Sequence, residues 1–367
     1  MFDIEKAKQN SSFRELKNSK VCSKFIEYNG KKLLNLGSND YLGIASDEAL
    51  RDEFLASCAK NKWFFGSGAS RLVYTSSDVF LELEEWFEKK FASKKALIFN
   101  SGYCANLSVI SALSSEKTLF LCDKLIHASM IDALKLGKAN FKRYPHSDYE
   151  ALKNLIEQNQ DKFEKIIILS EAIFSMDGDS CDLVKLVELK KEYKNLFLYI
   201  DEAHSFFARN EFGNAHFLGV YKDIDFLLIT LSKGVGSNGA VLLSSSDFKD
   251  IFINSARSLI YSTAIPSINI AWSLFVLTKD FSEKRANLEK NIHFLEASSH
   301  IFPFVVGSNE RALFFSKKLF DVGFFAPAIR PPTVLPNASR LRLSLRGDIL
   351  SGELEKLKEI LDEIRDC

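Results

Sequence analysis

Residues 226–240 read FLLITLSKGVGSNGA, with Lys233 at the junction of an apolar half and a glycine-rich half. The continuous apolar run 226–231, closed by Ser-Lys-Gly, predicts a strand buried on both faces that enters a tight turn. A lysine at that junction is anomalous, because ammonium groups are costly to bury unless paired. Two readings are open. Either the stem packs and the head reaches water, or the lysine sits at the carboxyl edge of an open α/β sheet, where such sheets place their ligands. In the second case desolvation would favour the neutral amine and a Schiff base with a carbonyl compound.

Outward from this stretch, short apolar runs recur at 240–243, 196–200, 165–170, 140–144, 118–122 and 96–99, separated by helical patterns. Several are apolar throughout rather than alternating, which predicts a mostly parallel sheet covered on both faces within a large α/β domain. Phe80, Leu83, Phe87 and Phe91 line one face of a helix over 77–91. Residues 1–40 read as an N-terminal arm with a helix over 3–17, and 41–280 as the large domain. Residues 281–367 read as a small α+β domain with strands at 302–306 and 341–345 and a closing helix carrying Leu354, Leu357, Leu361 and Ile364 on one face.

The 367 residues balance 48 basic against 48 acidic side chains, so no net field favours nucleic acid or an anionic membrane, and a small-molecule partner is expected. Cys22, Cys58, Cys104, Cys122, Cys181 and Cys367 show neither CxxC nor metal-ligand spacing. The start MFDIEKAKQN lacks the apolar core of a signal peptide, and no run approaches about 18 apolar residues. A cytoplasmic protein with reduced thiols and no membrane span is the expectation.

Asp201 ends the run LFLYIDEAH at 196–204, with His204 three residues on. The carboxylate is either a helix cap or a functional anion. Asp-Glu-Ala-His also spells the metal-binding box of RNA helicases, but that class needs a GxxxxGK[ST] phosphate loop, which this chain lacks. A pyridoxal phosphate reading gives these residues coherent work: Asp201 would pair with the pyridine nitrogen and His204 with the phenolic oxygen. His127, in DKLIHASMIDA at 123–133, is either structural or a group that stacks on the ring and reaches a substrate carboxylate. Ser101, Gly102 and Tyr103 precede a helical pattern, where backbone N–H groups bind phosphate. The loop GSGAS at 66–70 is either ordinary or a close approach. Glu171 and Ser175 follow the 165–170 run, so four predicted strand ends carry polar groups.

Eight stretches carry a resemblance: NDYLG at 39–43, GSGASR at 66–71, FNSGYCAN at 99–106, DKLIHASMIDA at 123–133, EAIFSMDGD at 171–179, IDEAH at 200–204, TLSKGVGSNGA at 230–240 and LIYSTAIP at 259–266. In order and spacing the chain resembles the α-oxoamine synthases, pyridoxal 5'-phosphate enzymes of aminotransferase fold type I. The resemblance implies that Lys233 is the Schiff-base lysine and general acid/base, with Asp201, His204 and His127 holding the ring. It implies Gly102, Tyr103, Ser175 and Thr230 as cofactor or phosphate contacts, with Thr263 supplied by a neighbouring subunit of a homodimer whose active site is shared. Arg342 resembles the arginine that receives the amino-acid carboxylate, while Arg330, Thr333 and Arg14 would face substrate. AIRPPTV at 328–334 and SRLRLSL at 339–345 look most like the family member that joins L-alanine to a pimeloyl thioester, on coenzyme A or a carrier protein, in biotin synthesis. Sister activities on glycine or serine share the lysine core, and non-catalytic subunits of the family usually lack the lysine. Phe80 and Tyr74-Thr75-Ser76 depart from the family pattern.

Overall fold

The computed structural model describes residues 4–9, 11, 13–16, 18–58, 63–73 and 77–365. Tyr74, Thr75, Ser76 and Cys367 lie outside that set, as do parts of the helix expected over 3–17. Contacts group the chain into two units, one of Arg51–Phe174 and Ser180–Asp280, the other of Met1–Leu50, Ser175–Asp179 and Phe281–Cys367.

The first unit is built on seven strands: β1 (Lys95–Phe99), β2 (Thr118–Asp123), β3 (Asn140–Tyr144), β4 (Lys165–Glu171), β5 (Leu196–Asp201), β6 (Phe226–Thr230) and β7 (Ala240–Ser244). Their order is β1-β7-β6-β5-β4-β2-β3, and only β7 runs against its neighbours. Every residue of β2, β6 and β7 is buried, as the apolar runs require of strands with both faces covered. The strands that share a direction end at one edge, which brings Asp123, Glu171, Asp201 and Thr230 to it; Glu171 stands opposite Asp201 in the ladder. Leu97, Phe99, Val109, Phe120, Leu228 and Leu242 belong to one core cluster beneath that edge. The helix expected over 77–91 is Asp78–Lys90, burying Phe80, Leu83 and Phe87.

The second unit holds a sheet of Lys20–Cys22, Phe25–Tyr28 and Lys31–Asn35 joined in parallel by Phe324–Phe325, and another of Ile301–Gly307, Ser339–Ser344 and Ala328–Ile329. In the N-terminal segment the described helix is only Ile4–Gln9, and Ser11 at φ +52° turns the chain out of helical geometry. Ile26, Leu33 and Leu34 are buried while Glu27, Lys31 and Lys32 stay exposed, so strands form where the sequence reads as polar arm. Helix Ser351–Arg365 buries Leu354, Leu357, Leu361 and Ile364, as its periodicity predicts. Each such side chain contributes about 1.5–3 kcal/mol relative to exposure.

Candidate active site

Lys233 follows β6 by three residues and is half-buried. Its Nζ donates to Nε2 of His204 at 2.7 Å. Gly234 comes next because nothing larger fits: a Cβ there would lie 2.5 Å from the carbonyl oxygen of Phe206. Gly236 and Gly239, at φ +66° and +102°, complete the turn into β7.

Asp201 is 5% exposed and doubly hydrogen-bonded. Its Oδ1 accepts from the N–H of Ala203 at 2.9 Å and its Oδ2 from Asn106 Nδ2 at 2.9 Å. Each oxygen keeps a further lone pair for another donor. His127 caps helix Ala128–Leu136, and its Nδ1 faces both the N–H and the hydroxyl of Ser129, at 3.2 and 2.8 Å. His127 is exposed as a residue. Desolvation nonetheless holds its pKa below the usual histidine value, with Asp201 opposing and Lys233 reinforcing the shift. Glu171 is buried beside these groups, and its Oε1 has no hydrogen bond among the described residues. Burial, and then the Asp201 charge, push its carboxyl well above the usual range.

Gly102 opens helix Gly102–Leu113, whose cap is Ser101: its hydroxyl accepts from the N–H of Cys104 at 3.1 Å. A Cβ on Gly102 would stand 2.6 Å from Thr230 Cγ2, so this helix start and the end of β6 approach as closely as glycine permits. Tyr103 is exposed and its hydroxyl donates to Asp132. Thr263 is exposed, with its carbonyl held by Asn100 Nδ2 at 2.6 Å. Phe80 is buried, with the Arg71 guanidinium 4.8 Å from its ring centre.

The substrate-side residues of the second unit form their own constellation. Arg342, on Ser339–Ser344 and 5% exposed, donates from Nε to the carbonyl of Ser175 at 2.5 Å and from Nη1 to Ser344 Oγ at 2.8 Å. Arg340 on the same strand reaches Asp177 at 2.5 Å, so two arginines hold the segment Ser175–Asp179. Arg14 Nη2 donates to Thr333 Oγ1 at 2.6 Å, and Arg330 donates to the carbonyls of Ser11 and Phe13. Burial, and then the neighbouring Arg14 charge, lower the Arg330 pKa.

Within the first unit the structure therefore brings together Lys233, His204, Asp201 and His127, and sets Gly102 beside Thr230. Within the second it joins Ser175 to Arg342 and Arg14 to Thr333. Sequence reasoning passed over Asn106, Ser129 and Tyr199. The available signal for Asn106 was an amide four residues after Gly102, on the same face of an otherwise apolar helix.

Three features fit pyridoxal phosphate: the remaining acceptor capacity of Asp201, the helix start at Gly102, where the first backbone N–H groups have no intrahelical acceptor, and an amine at the sheet edge. Among the described residues no group of His, Cys, Asp and Glu side chains could hold a metal, and no helix is long and apolar enough to cross a membrane.

The family profile for aminotransferases of class I and II matches residues 31–361. A Haemophilus influenzae protein provisionally named 8-amino-7-oxononanoate synthase is 40% identical over 368 residues, covering 96% of this chain and 97% of that one. A protein of Neisseria meningitidis with the same provisional name is likewise 40% identical over 96% of this chain. Among solved structures, 8-amino-7-oxononanoate synthase from Francisella tularensis aligns with a TM-score of 0.76 and 27% identity over 91% of this chain and 98% of that one. A variant of serine palmitoyltransferase from S. paucimobilis, solved with a bound pyridoxal phosphate–myriocin aldimine, aligns at 0.89 and 22% identity over 99% and 96%, a likeness of fold. A match that runs the length of the chain makes it a member of the class I and II aminotransferase family and, within it, of the α-oxoamine synthases, acyltransferases that work with pyridoxal 5'-phosphate.

Proposed function

We propose that the protein condenses L-alanine with a pimeloyl thioester, carried on coenzyme A or a carrier protein, releasing the thiol, carbon dioxide and 8-amino-7-oxononanoate for biotin synthesis. The observation that carries this reading is the 40% identity, nearly end to end, to proteins provisionally named for that reaction.

Bound pyridoxal phosphate supplies an electron sink for negative charge at the amino-acid α-carbon. Lys233 would hold its aldehyde carbon; the freed Nζ then takes the α-proton of alanine and later returns a proton to that carbon. His204 Nε2, 2.7 Å away, accepts a hydrogen bond from the amine and fixes its direction. Asp201 would take the pyridine N–H as a third donor, and His127 would stack on the ring. Gly102, Tyr103, Ser175 and Thr230 would meet the cofactor, the phosphate at the helix start. The exposed Thr263 suits a role toward a second copy of the chain, in a cytoplasmic homodimer with shared active sites. Arg342, a planar fork, suits the alanine carboxylate. Arg330, Thr333 and Arg14 would face the acyl substrate.

A sister reaction on serine draws support from the fold likeness to serine palmitoyltransferase, at a TM-score of 0.89 but 22% identity. Thiol release from pimeloyl-coenzyme A, with alanine, glycine and serine compared, separates the two. Release with alanine alone is expected; release only with another amino acid or acyl chain would overturn the assignment.

A further inference from the structure

Asn106, 1% exposed, sits among three polar partners, Asp201 and Tyr199 on β5 and Ser129 on helix Ala128–Leu136. Its Nδ2 donates to Asp201 Oδ2 at 2.9 Å and to Ser129 Oγ at 3.0 Å, and its Oδ1 accepts from the Tyr199 hydroxyl at 2.7 Å. Chemistry sets the orientation of the amide: a carboxylate oxygen accepts, so the NH2 group faces Asp201 and the oxygen is left for the Tyr199 O–H. Ser129 Oγ, having accepted from Asn106, lies 2.8 Å from His127 Nδ1, and the Ser129 backbone N–H points at the same nitrogen from 3.2 Å. With a lone pair committed to Asn106, the Ser129 hydroxyl turns its own proton toward Nδ1, and this nearer donor, added to the longer backbone contact, makes Nδ1 the acceptor, so neutral His127 carries its proton on Nε2.

We propose that Asn106 is a positioning residue that joins Asp201 to His127 through Ser129, holding His127 as the Nε2–H tautomer with its donor turned away from the protein interior. Tyr199, itself fully buried, anchors the amide from behind and prevents it from flipping. The inference rests on the assignment of Asp201 and His127 to the cofactor and adds that the two act as one unit. Loss of the amide would leave Asp201 with a single protein donor and would free the Ser129 hydroxyl to accept from an Nδ1–H.

The test is nitrogen-15 NMR of the histidine rings in the full-length protein, with and without pyridoxal phosphate, between pH 5 and 9, for wild type and Asn106→Ala. Wild-type His127 is expected to show the Nε2–H tautomer across the neutral range. In the variant we expect mixed tautomers, an upward move of the His127 midpoint, and a cofactor dissociation constant raised about tenfold, the effect of one charge-assisted hydrogen bond. Asn106→Ser, which is smaller and still polar, gives the same readings if the alanine variant does not fold. An unchanged His127 tautomer and midpoint in either folded variant overturns the proposal, including when thermal stability falls, because Asn106 would then be structural only. These spectra need no substrate, so the condensation could fail its own test and leave this result standing, and the reverse also holds.

Discussion

Lys233 Nζ and His204 Nε2 lie 2.7 Å apart although 29 residues separate them in the chain. The contact exists because β5 and β6 are parallel neighbours in register, Asp201 opposite Leu228, so the turns that leave them start side by side. Lysine offers N–H groups, so His204 accepts at Nε2 and its own proton belongs on Nδ1.

Lys233→Ala removes the amine while His204 and Asp201 keep their places. Turnover is expected to fall at least about a thousandfold, within the range of a lost general acid/base. Borohydride reduction followed by peptide mass mapping should tag Lys233 in wild type and nothing in the variant. Normal turnover would remove Lys233 from its role.

Arg342→Lys keeps the charge and loses the fork. The bonds to the Ser175 carbonyl and Ser344 hydroxyl, at 2.5 and 2.8 Å, cannot both be made by one ammonium in that geometry. The KM for alanine should rise about tenfold or more, the loss of one charge-assisted hydrogen bond. Steady-state kinetics check this, and an unchanged KM would move the carboxylate to another cation.

Glu202 is fully buried, and burial pushes its carboxyl up to about 8 against the opposing N–H donors of Ala215 and Asn214. An acid whose pKa is raised on folding binds more protons when folded, so its stabilising contribution is complete below its ordinary range and is lost as pH rises to about 8. Glu202→Gln, neutral throughout, should remove that slope. Between pH 5 and pH 9 the variant should gain about 2–4 kcal/mol on wild type. Chemical unfolding at the two pH values measures the difference; parallel stability curves would refute it.

Gly178 sits at φ +72°, and a Cβ there would lie 2.1 Å from the carbonyl oxygen of Ile301. Gly178→Ala should therefore cost about 1–3 kcal/mol in backbone strain alone, with the clash added. The segment Ser175–Asp179 that Arg340 and Arg342 hold would shift with it. Urea unfolding gives the first quantity and the KM for alanine the second; a variant as stable as wild type would mean that the backbone relaxes freely.

Much of the large unit was legible because its strands are buried on both faces. Apolar runs at 118–122, 165–170, 196–200 and 226–231 appear as strands within a residue of their predicted ends. The N-terminal strands were harder to read: in KFIEYNGKKLLN the buried Ile26, Leu33 and Leu34 lie among charged side chains with no regular alternation. Lys233, Asp201 and His204 were readable as polar residues where apolar runs stop. Asn106 was harder to see, since a single amide in a helix takes its meaning from partners 23, 93 and 95 residues away.

By itself the sequence determined the α/β class, the family and which residues carry reactive groups, because periodicity and motif order are properties of the chain alone. The tertiary structure decided how those groups face one another. Sheet register put His204 against Lys233, a buried amide tied Asp201 to Ser129 and His127, and two arginines on one strand took hold of Ser175–Asp179. Hydrogen bonds depend on distances of a few tenths of an ångström between residues far apart in the chain, and only the packed backbone sets such distances.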